Sequence, residues 1–149
     1  MQPIRIIIVD DHEIMREGLV QLLQLEEGIE IVATASNGRQ AIDLIKQHKP
    51  DIVLLDVSMD DISGLEVTKI IKPELPETKI IIVTMHEEKA FFLQALRAGA
   101  TGYFLKGSDS EELIQTIYKV HAGEVYLSPK MAGGLIQELL NYEKILNIS

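Results

Sequence analysis

The chain has 149 residues, 46% of them hydrophobic, enough for one domain with a full core, and no apolar run approaches the ~18 residues of a membrane-spanning helix. Its formal net charge of −9 argues against this chain alone gripping nucleic acid, which depends on Lys and Arg neutralising phosphates. The lack of cysteine excludes disulfides, thiolate catalysis and Cys-ligated metals, and fits a cytoplasmic protein, as does the absence of an export signal before the first strand.

In chain order, Ile4 to Val9 is a β-branched run that reads as a buried strand, and it ends in Asp10-Asp11. From His12 to about Glu26, Met15, Leu19, Leu22 and Leu23 fall on one face of a helix, closed by Glu26-Glu27-Gly28. Glu30 to Ala35 predicts a short strand and Asn37-Gly38 a turn. Ala41, Ile42, Leu44 and Ile45 mark a second helix stopped by Pro50. Ile52 to Leu55 is a third buried strand, ending in Asp56. Leu65, Val67, Ile70 and Ile71 predict a third helix that ends near Pro73.

Lys79 to Val83 is a fourth strand with Thr84 as its last residue, and Ala90 to Arg97 a helix stopped by Gly99. Gly102 to Lys106 is a fifth strand with Lys106 at its end. Ser108 with Glu111 reads as a capping box for a fifth helix carrying Leu113, Ile114, Ile117 and Val120. Five βα units in strict alternation predict an α/β fold, a doubly wound five-stranded parallel sheet. A sixth helix after Ser128-Pro129 carries Met131, Leu135, Leu139 and Tyr142 and stands outside that alternation; Gly133-Gly134 weakens it by ~1 kcal/mol per glycine.

Open α/β sheets bind ligands beyond the carboxyl ends of their strands. Those ends carry Asp10, Asp11, Asp56, Thr84 and Lys106. Crowded carboxylates share protons or recruit a cation, and an all-oxygen set favours a hard ion such as Mg2+. A hydroxyl and an ammonium at the same edge suit phosphoryl oxygens. The inferred chemistry is phosphoryl transfer to a carboxylate, which needs little beyond positioning and charge neutralisation.

The set VDDH, LLDVSM, VTMHE and AGATGYFLK resembles the receiver domain of two-component response regulators over roughly residues 4 to 123. The resemblance implies a flavodoxin-like (βα)5 fold with strand order 2-1-3-4-5. It implies that Asp56 accepts a phosphoryl group from the phosphohistidine of a sensor histidine kinase. Asp10, Asp11, Asp56 and the backbone carbonyl of Ser58 would hold Mg2+, Thr84 and Lys106 would bind phosphoryl oxygens, and Tyr103 would reorient on activation with Thr84. AGATGYFLK and GEVYLSP are further similar to the NarL/LuxR transcriptional subfamily. Residues 1–123 would then be the receiver and 124–149 a linker helix. That helix would lead towards a DNA-binding helix-turn-helix beyond this chain, either lost by truncation or absent from a stand-alone receiver. Homodimerisation on phosphorylation, contact with DNA only through that further domain, and no contact with membrane complete the expectation.

The chain departs from the pattern in three places. Asp60 stands where proline is usual, Gly107 follows Lys106 where many receivers have proline after a cis bond, and Met85 is bulky where many have a small residue. Asp60 is read as a solvated loop acid, the Lys106-Gly107 bond is left open between cis and trans, and Met85 is expected to restrict access to the phosphate. His12, His48, His86 and His121 are scattered and read as surface histidines, with His12 and His86 nearest the strand ends. Lys72, Lys79 and Lys89 read as solvated charges. A rival function is a phosphohydrolase of the haloacid-dehalogenase kind. Its Asp-x-Asp motif is missing here, because Ser58 stands two residues after Asp56. A degenerate receiver acting only as a protein-protein module is a third possibility, opposed by the full set of phosphorylation residues.

Overall fold

The structure is a computed structural model that describes residues 2–85, 89–127 and 129–148; His86 and Ser128 lie outside the described residues. The parallel strands are β1 (Ile4–Val9), β2 (Ile29–Ala35), β3 (Ile52–Asp56), β4 (Lys79–Thr84), β5 (Gly102–Leu105) and β6 (Tyr126–Leu127). Between them run α1 (Glu13–Leu23), α2 (Gly38–His48), α3 (Gly64–Glu74), α4 (Lys89–Ala98) and α5 (Ser110–His121), with α6 (Pro129–Ile148) last. The sheet order is β2-β1-β3-β4-β5-β6. From β1 the chain winds out to β2, then crosses back to lay β3 on the other side of β1. That reversal opens a crevice at the carboxyl ends of β1 and β3.

Strand alternation divides the apolar residues between two layers. Ile7, Val9, Val53, Leu55, Ile80 and Ile82 pack against Ala41 and Ile45 of α2, Val67 and Ile71 of α3, and Phe92 and Ala95 of α4. Ile6, Ile8, Ile52, Leu54, Ile81 and Val83 face Leu23 of α1 and Leu113, Ile117 and Val120 of α5. With Ile6, Ile7 and Ile8 all fully buried, β1 is anchored from both faces. Truncating any one of these side chains to alanine is worth ~2–5 kcal/mol. The strand ends are therefore held firmly.

Four details differ from the sequence expectation. A sixth strand extends the expected five: Tyr126 N donates to Thr101 O at 2.8 Å, and two residues suffice to pair with β5. Two residues are too few to show any period. Asn37 is not a turn residue but the N-cap of α2, its Oδ1 accepting from Gln40 N at 2.9 Å. Asp109, not Ser108, caps α5: its Oδ1 accepts from Glu111 N at 3.2 Å, while Ser108 N closes a turn onto Leu105 O. The expected end of α3 near Pro73 is met: Pro73 lies in the last turn, and the helix stops at Glu74, with Leu75 N reaching Ile71 O at 2.8 Å. Lys72 is no free surface charge: burial lowers its pKa, and its Nζ donates to Pro76 O and Thr78 O.

Two glycines shape the approach to the crevice. Gly107 has φ +90°, a conformation that favours glycine, and the Lys106-Gly107 bond is trans, since the described residues contain no cis bond. Gly64 lies so close to the end of β3 that a Cβ there would strike the carbonyl oxygen of Asp56. The first half of α6 is seated on the body through Met131, which is buried with Phe92 and Tyr103. Beyond Leu135 the helix leaves the body, and Ile136, Leu139, Leu140, Tyr142 and Ile145 are exposed.

Candidate functional site: an acidic crevice at the sheet edge

The crevice assembles from strand ends that the ladder brings into line. Asp10 follows β1 and is tied to β2 by its N–H, which donates to Ala35 O at 3.1 Å. Asp56 ends β3 and pairs in register with Val83 of β4. Lys106 follows β5 directly, its N–H donating to Thr84 O at 2.7 Å. Asp10, Asp56 and Thr84 are buried, and the Lys106 side chain is only 6% exposed.

One ammonium serves two carboxylates. Lys106 Nζ stands 3.2 Å from Asp10 Oδ2 and 3.3 Å from Asp56 Oδ1. Asp56 Oδ1 also accepts from Ser58 N at 3.2 Å. Asp56 Oδ2, by contrast, is buried without a hydrogen-bond partner. Burial, and next the negative charge of Asp10, push the Asp56 carboxyl up to about 6, against the lowering pull of Lys106 and the Ser58 N–H.

Carboxylate oxygens of Asp10, Asp11 and Asp56 and a ring nitrogen of His12 lie within 4.8 Å of one another. A buried carboxylate oxygen with no donor costs on the order of 1–3 kcal/mol. Asp56 Oδ2 is in that position, and Asp11 Oδ1 has no hydrogen bond, with only the His12 ring nitrogen beside it. Crowded acids with unpartnered oxygens are the donor set of a hard divalent cation, so the residues present fit one. Asp60 is exposed and stands outside this group.

Tyr103 does not join the acids. It pairs with Ile82 across the ladder, is 2% exposed, and sets its ring edge-on to Phe92 of α4, centroids 5.4 Å apart. β5 ends at Leu105, one residue short of the expected strand, and Lys106 already belongs to the following turn. Met85 is 72% exposed and lines an open groove of about 390 Å³ with His12, Ile14, Met15 and Lys106.

Three side chains were missed from the sequence. His12 is exposed as expected, but its Nδ1 lies 3.2 Å from Asp10 Oδ1 and 3.0 Å from Asp11 Oδ1. Arg16 Nη1 donates to Asp10 O at 2.7 Å, fixing the backbone that carries the acid pair. Asp61 accepts from Gly38 N at 2.9 Å and Arg39 N at 3.0 Å, and so fastens the loop after β3 to the start of α2. His12 and Arg16 sit at positions one helical turn apart, a spacing that gave a usable hint. Asp61 gave none, because its partners lie more than twenty residues away.

Comparison with known proteins agrees with this geometry. The response regulator receiver domain matches residues 6–118. The transcriptional regulatory protein LnrK of Bacillus subtilis is 38% identical over 146 residues, which span 98% of this chain and 66% of LnrK. The response regulator GacA of Pseudomonas aeruginosa is 40% identical over 129 residues, 87% of this chain and 60% of GacA. A two-component response regulator of the LuxR family from Aurantimonas sp. superposes with a TM-score of 0.88 at 38% identity, over 93% of this chain and 99% of that one. A DNA-binding response regulator of the LuxR family from Staphylococcus aureus gives 0.75 at 36% identity, over 79% and 98%. The chain spans between 60% and 67% of the length of the curated relatives it matches. No described helix is long and apolar enough to cross a membrane. With the acids, the lysine and the strand order in place, the chain belongs to the response regulator receiver domain family of two-component systems, in its NarL/LuxR branch.

Proposed function

We propose that this chain accepts a phosphoryl group on Asp56 from the phosphohistidine of a sensor histidine kinase and changes conformation in response. The observation that carries this reading is Asp56 itself: one oxygen is held by Lys106 and Ser58 N, and the other is buried with no hydrogen-bond partner. Asp56 Oδ2 attacks phosphorus as the phosphorus-nitrogen bond breaks. The imidazole nitrogen keeps the electron pair and later takes a proton from solvent, and the carboxylate becomes an acyl phosphate. Asp10, Asp11, Asp56 and the carbonyl of Ser58 would hold Mg2+, which would supply charge neutralisation for the transferring group. Lys106 pairs with Asp56 before transfer and with a phosphoryl oxygen afterwards. Thr84 donates its hydroxyl to another phosphoryl oxygen, and its movement is coupled to Tyr103. Any catalysis stays within self-phosphorylation and self-dephosphorylation.

In this reading residues 1–123 are the receiver and residues 124–149 a linker helix, with transcription controlled through a helix-turn-helix in the longer protein. The names of its relatives support that output. The site is cytoplasmic, where a kinase's phosphohistidine is met, and phosphorylation drives homodimerisation. The test is intact mass after incubation with a small acyl phosphate and Mg2+. Wild type gains one phosphoryl group and Asp56→Asn gains none. An equal gain in both would overturn the assignment.

A further inference from the structure

His12 brings a ring nitrogen to the acids of the crevice, against Asp10 and Asp11, whereas Lys106 meets Asp10 and Asp56. Its N–H donates to Asp10 Oδ1 at 2.9 Å, which fixes the start of α1 against the acid. Its Nδ1 then lies 3.2 Å from Asp10 Oδ1 and 3.0 Å from Asp11 Oδ1. The first of these is a hydrogen-bonding contact, and the second an ion-pair contact with an oxygen that is buried and has no hydrogen bond of its own. Ligands on adjacent corners of an octahedron with metal-ligand bonds of ~2.1 Å are separated by ~3.0 Å. Both nitrogen-oxygen distances match that edge. All four donors, Asp56 included, fall within 4.8 Å of one another. The ring is 68% exposed, and Nδ1 is the nitrogen that faces the acids.

We propose that His12 is a selectivity-determining ligand of the cation pocket, binding through Nδ1 when the ion is a borderline divalent metal such as Co2+, Ni2+ or Zn2+. The inference rests on the reading of the pocket as a divalent-cation site. Carboxylates alone favour hard ions, whereas imidazole suits the later first-row metals, whose affinities also rise along the series. Mg2+ dehydrates reluctantly and keeps its waters in preference to a nitrogen ligand. One site can then hold two classes of ion with different donor sets. The ion present would set how the Asp10 and Asp11 oxygens are turned, and with them the phosphoacceptor.

The test compares Co2+ with Mg2+ on the whole chain. Calorimetric titration of wild type and His12→Ala should show the ratio of Co2+ to Mg2+ affinity falling about tenfold or more in the variant. Proton NMR of the Co2+-loaded wild type should show a strongly shifted imidazole N–H resonance that vanishes in His12→Ala. No shifted resonance in wild type, or a ratio unchanged in the variant, overturns the proposal, and the wild-type spectrum requires no variant to fold. Asp11→Ala separates the two layers of the argument. If it abolishes binding of both ions while His12→Ala leaves the ratio alone, only the role of His12 is lost. If it leaves both ions bound, the pocket reading is lost with it.

Discussion

Lys106 meets Asp56 through one oxygen only, Nζ to Oδ1 at 3.3 Å, while the same ammonium holds Asp10 Oδ2 at 3.2 Å. A single cation thus sits between two buried acids, and the rest of the negative charge is left to another partner. Removing the ammonium takes away the largest influence lowering the Asp56 pKa. Lys106→Met, which keeps most of the side chain's volume, should raise the Asp56 titration midpoint above about 6. It should also slow phosphorylation by a small phosphodonor roughly 100–1,000-fold, the scale on which one preorganised donor matters. Carboxyl 13C NMR across pH reads the first effect and intact mass against time the second. An unmoved midpoint would show that the lysine does not govern the acid.

The raised pKa of Asp56 has a sign that can be measured. An acid whose folded pKa lies above its unfolded value, here about 6 against 3.8, binds its proton more tightly in the folded state. Its contribution to stability is complete below the unfolded value and is lost as pH rises through about 6. Metal-free protein should therefore lose stability between pH 4 and 7, and Asp56→Asn should flatten that loss. Above pH 6 the variant should be more stable by on the order of 1 kcal/mol, after discounting for screening by Lys106 and solvent. Urea unfolding at several pH values checks both statements. Saturating Mg2+ should reverse the trend in wild type and leave the variant nearly unaffected.

The parts of this site that were legible in the sequence are those that strand chemistry writes locally. Ile6 to Val9, Ile52 to Leu55 and Ile80 to Val83 are continuous apolar runs because both faces are covered, and each run stops at a residue the crevice uses or adjoins. Less legible was whatever depends on distant backbone. Asp61 reads as one more loop acid until α2 is seen to begin beside it, and β6 is two residues that only the edge of β5 makes into a strand. His12 read as a surface histidine because the four histidines are scattered along the chain; its side chain is indeed 68% exposed, and it is the position of Nδ1 that draws it to the site.

Asp61 yields a second pH signature, opposite in sign. Its bonds to the Arg39 and Gly38 N–H groups hold its carboxyl down to about 2. The stability it contributes is present above the unfolded value of 3.8 and disappears as pH falls through about 2. Asp61→Ala should leave the phosphoacceptor chemistry in place while freeing the first turn of α2. Amide exchange at Gly38 and Arg39 should accelerate in the variant at neutral pH and differ little from wild type below pH 2. Equal exchange at neutral pH would show that the contact does not hold the helix.

The route by which phosphorylation leaves the crevice is the last prediction. Thr84 ends β4 beside Asp56, and Ile82, two residues earlier on the same strand, pairs with Tyr103. The ring of Tyr103 is buried and stands edge-on to Phe92, and Met131 of α6 packs into the same cluster. An apolar line therefore runs from the sheet edge through α4 to α6. A phosphoryl group offers the Thr84 hydroxyl a strong acceptor, and a charge-assisted hydrogen bond would draw it toward the acids. A phosphate shifts two states only by its difference in affinity for them, and in the proposed mechanism Thr84 would be where that difference is felt on this side of the sheet. Thr84→Ala should accept phosphate on Asp56 as judged by intact mass, yet lose most of the phosphate-driven change in amide exchange along α4 and α6. Tyr103→Phe keeps the ring on Phe92 and tests the hydroxyl alone, whereas Tyr103→Ala opens a cavity costing ~3–5 kcal/mol and should loosen α6 even without phosphate. A full exchange response in Thr84→Ala would mean that the signal crosses the sheet elsewhere, with α1 and α5 the remaining layer to examine.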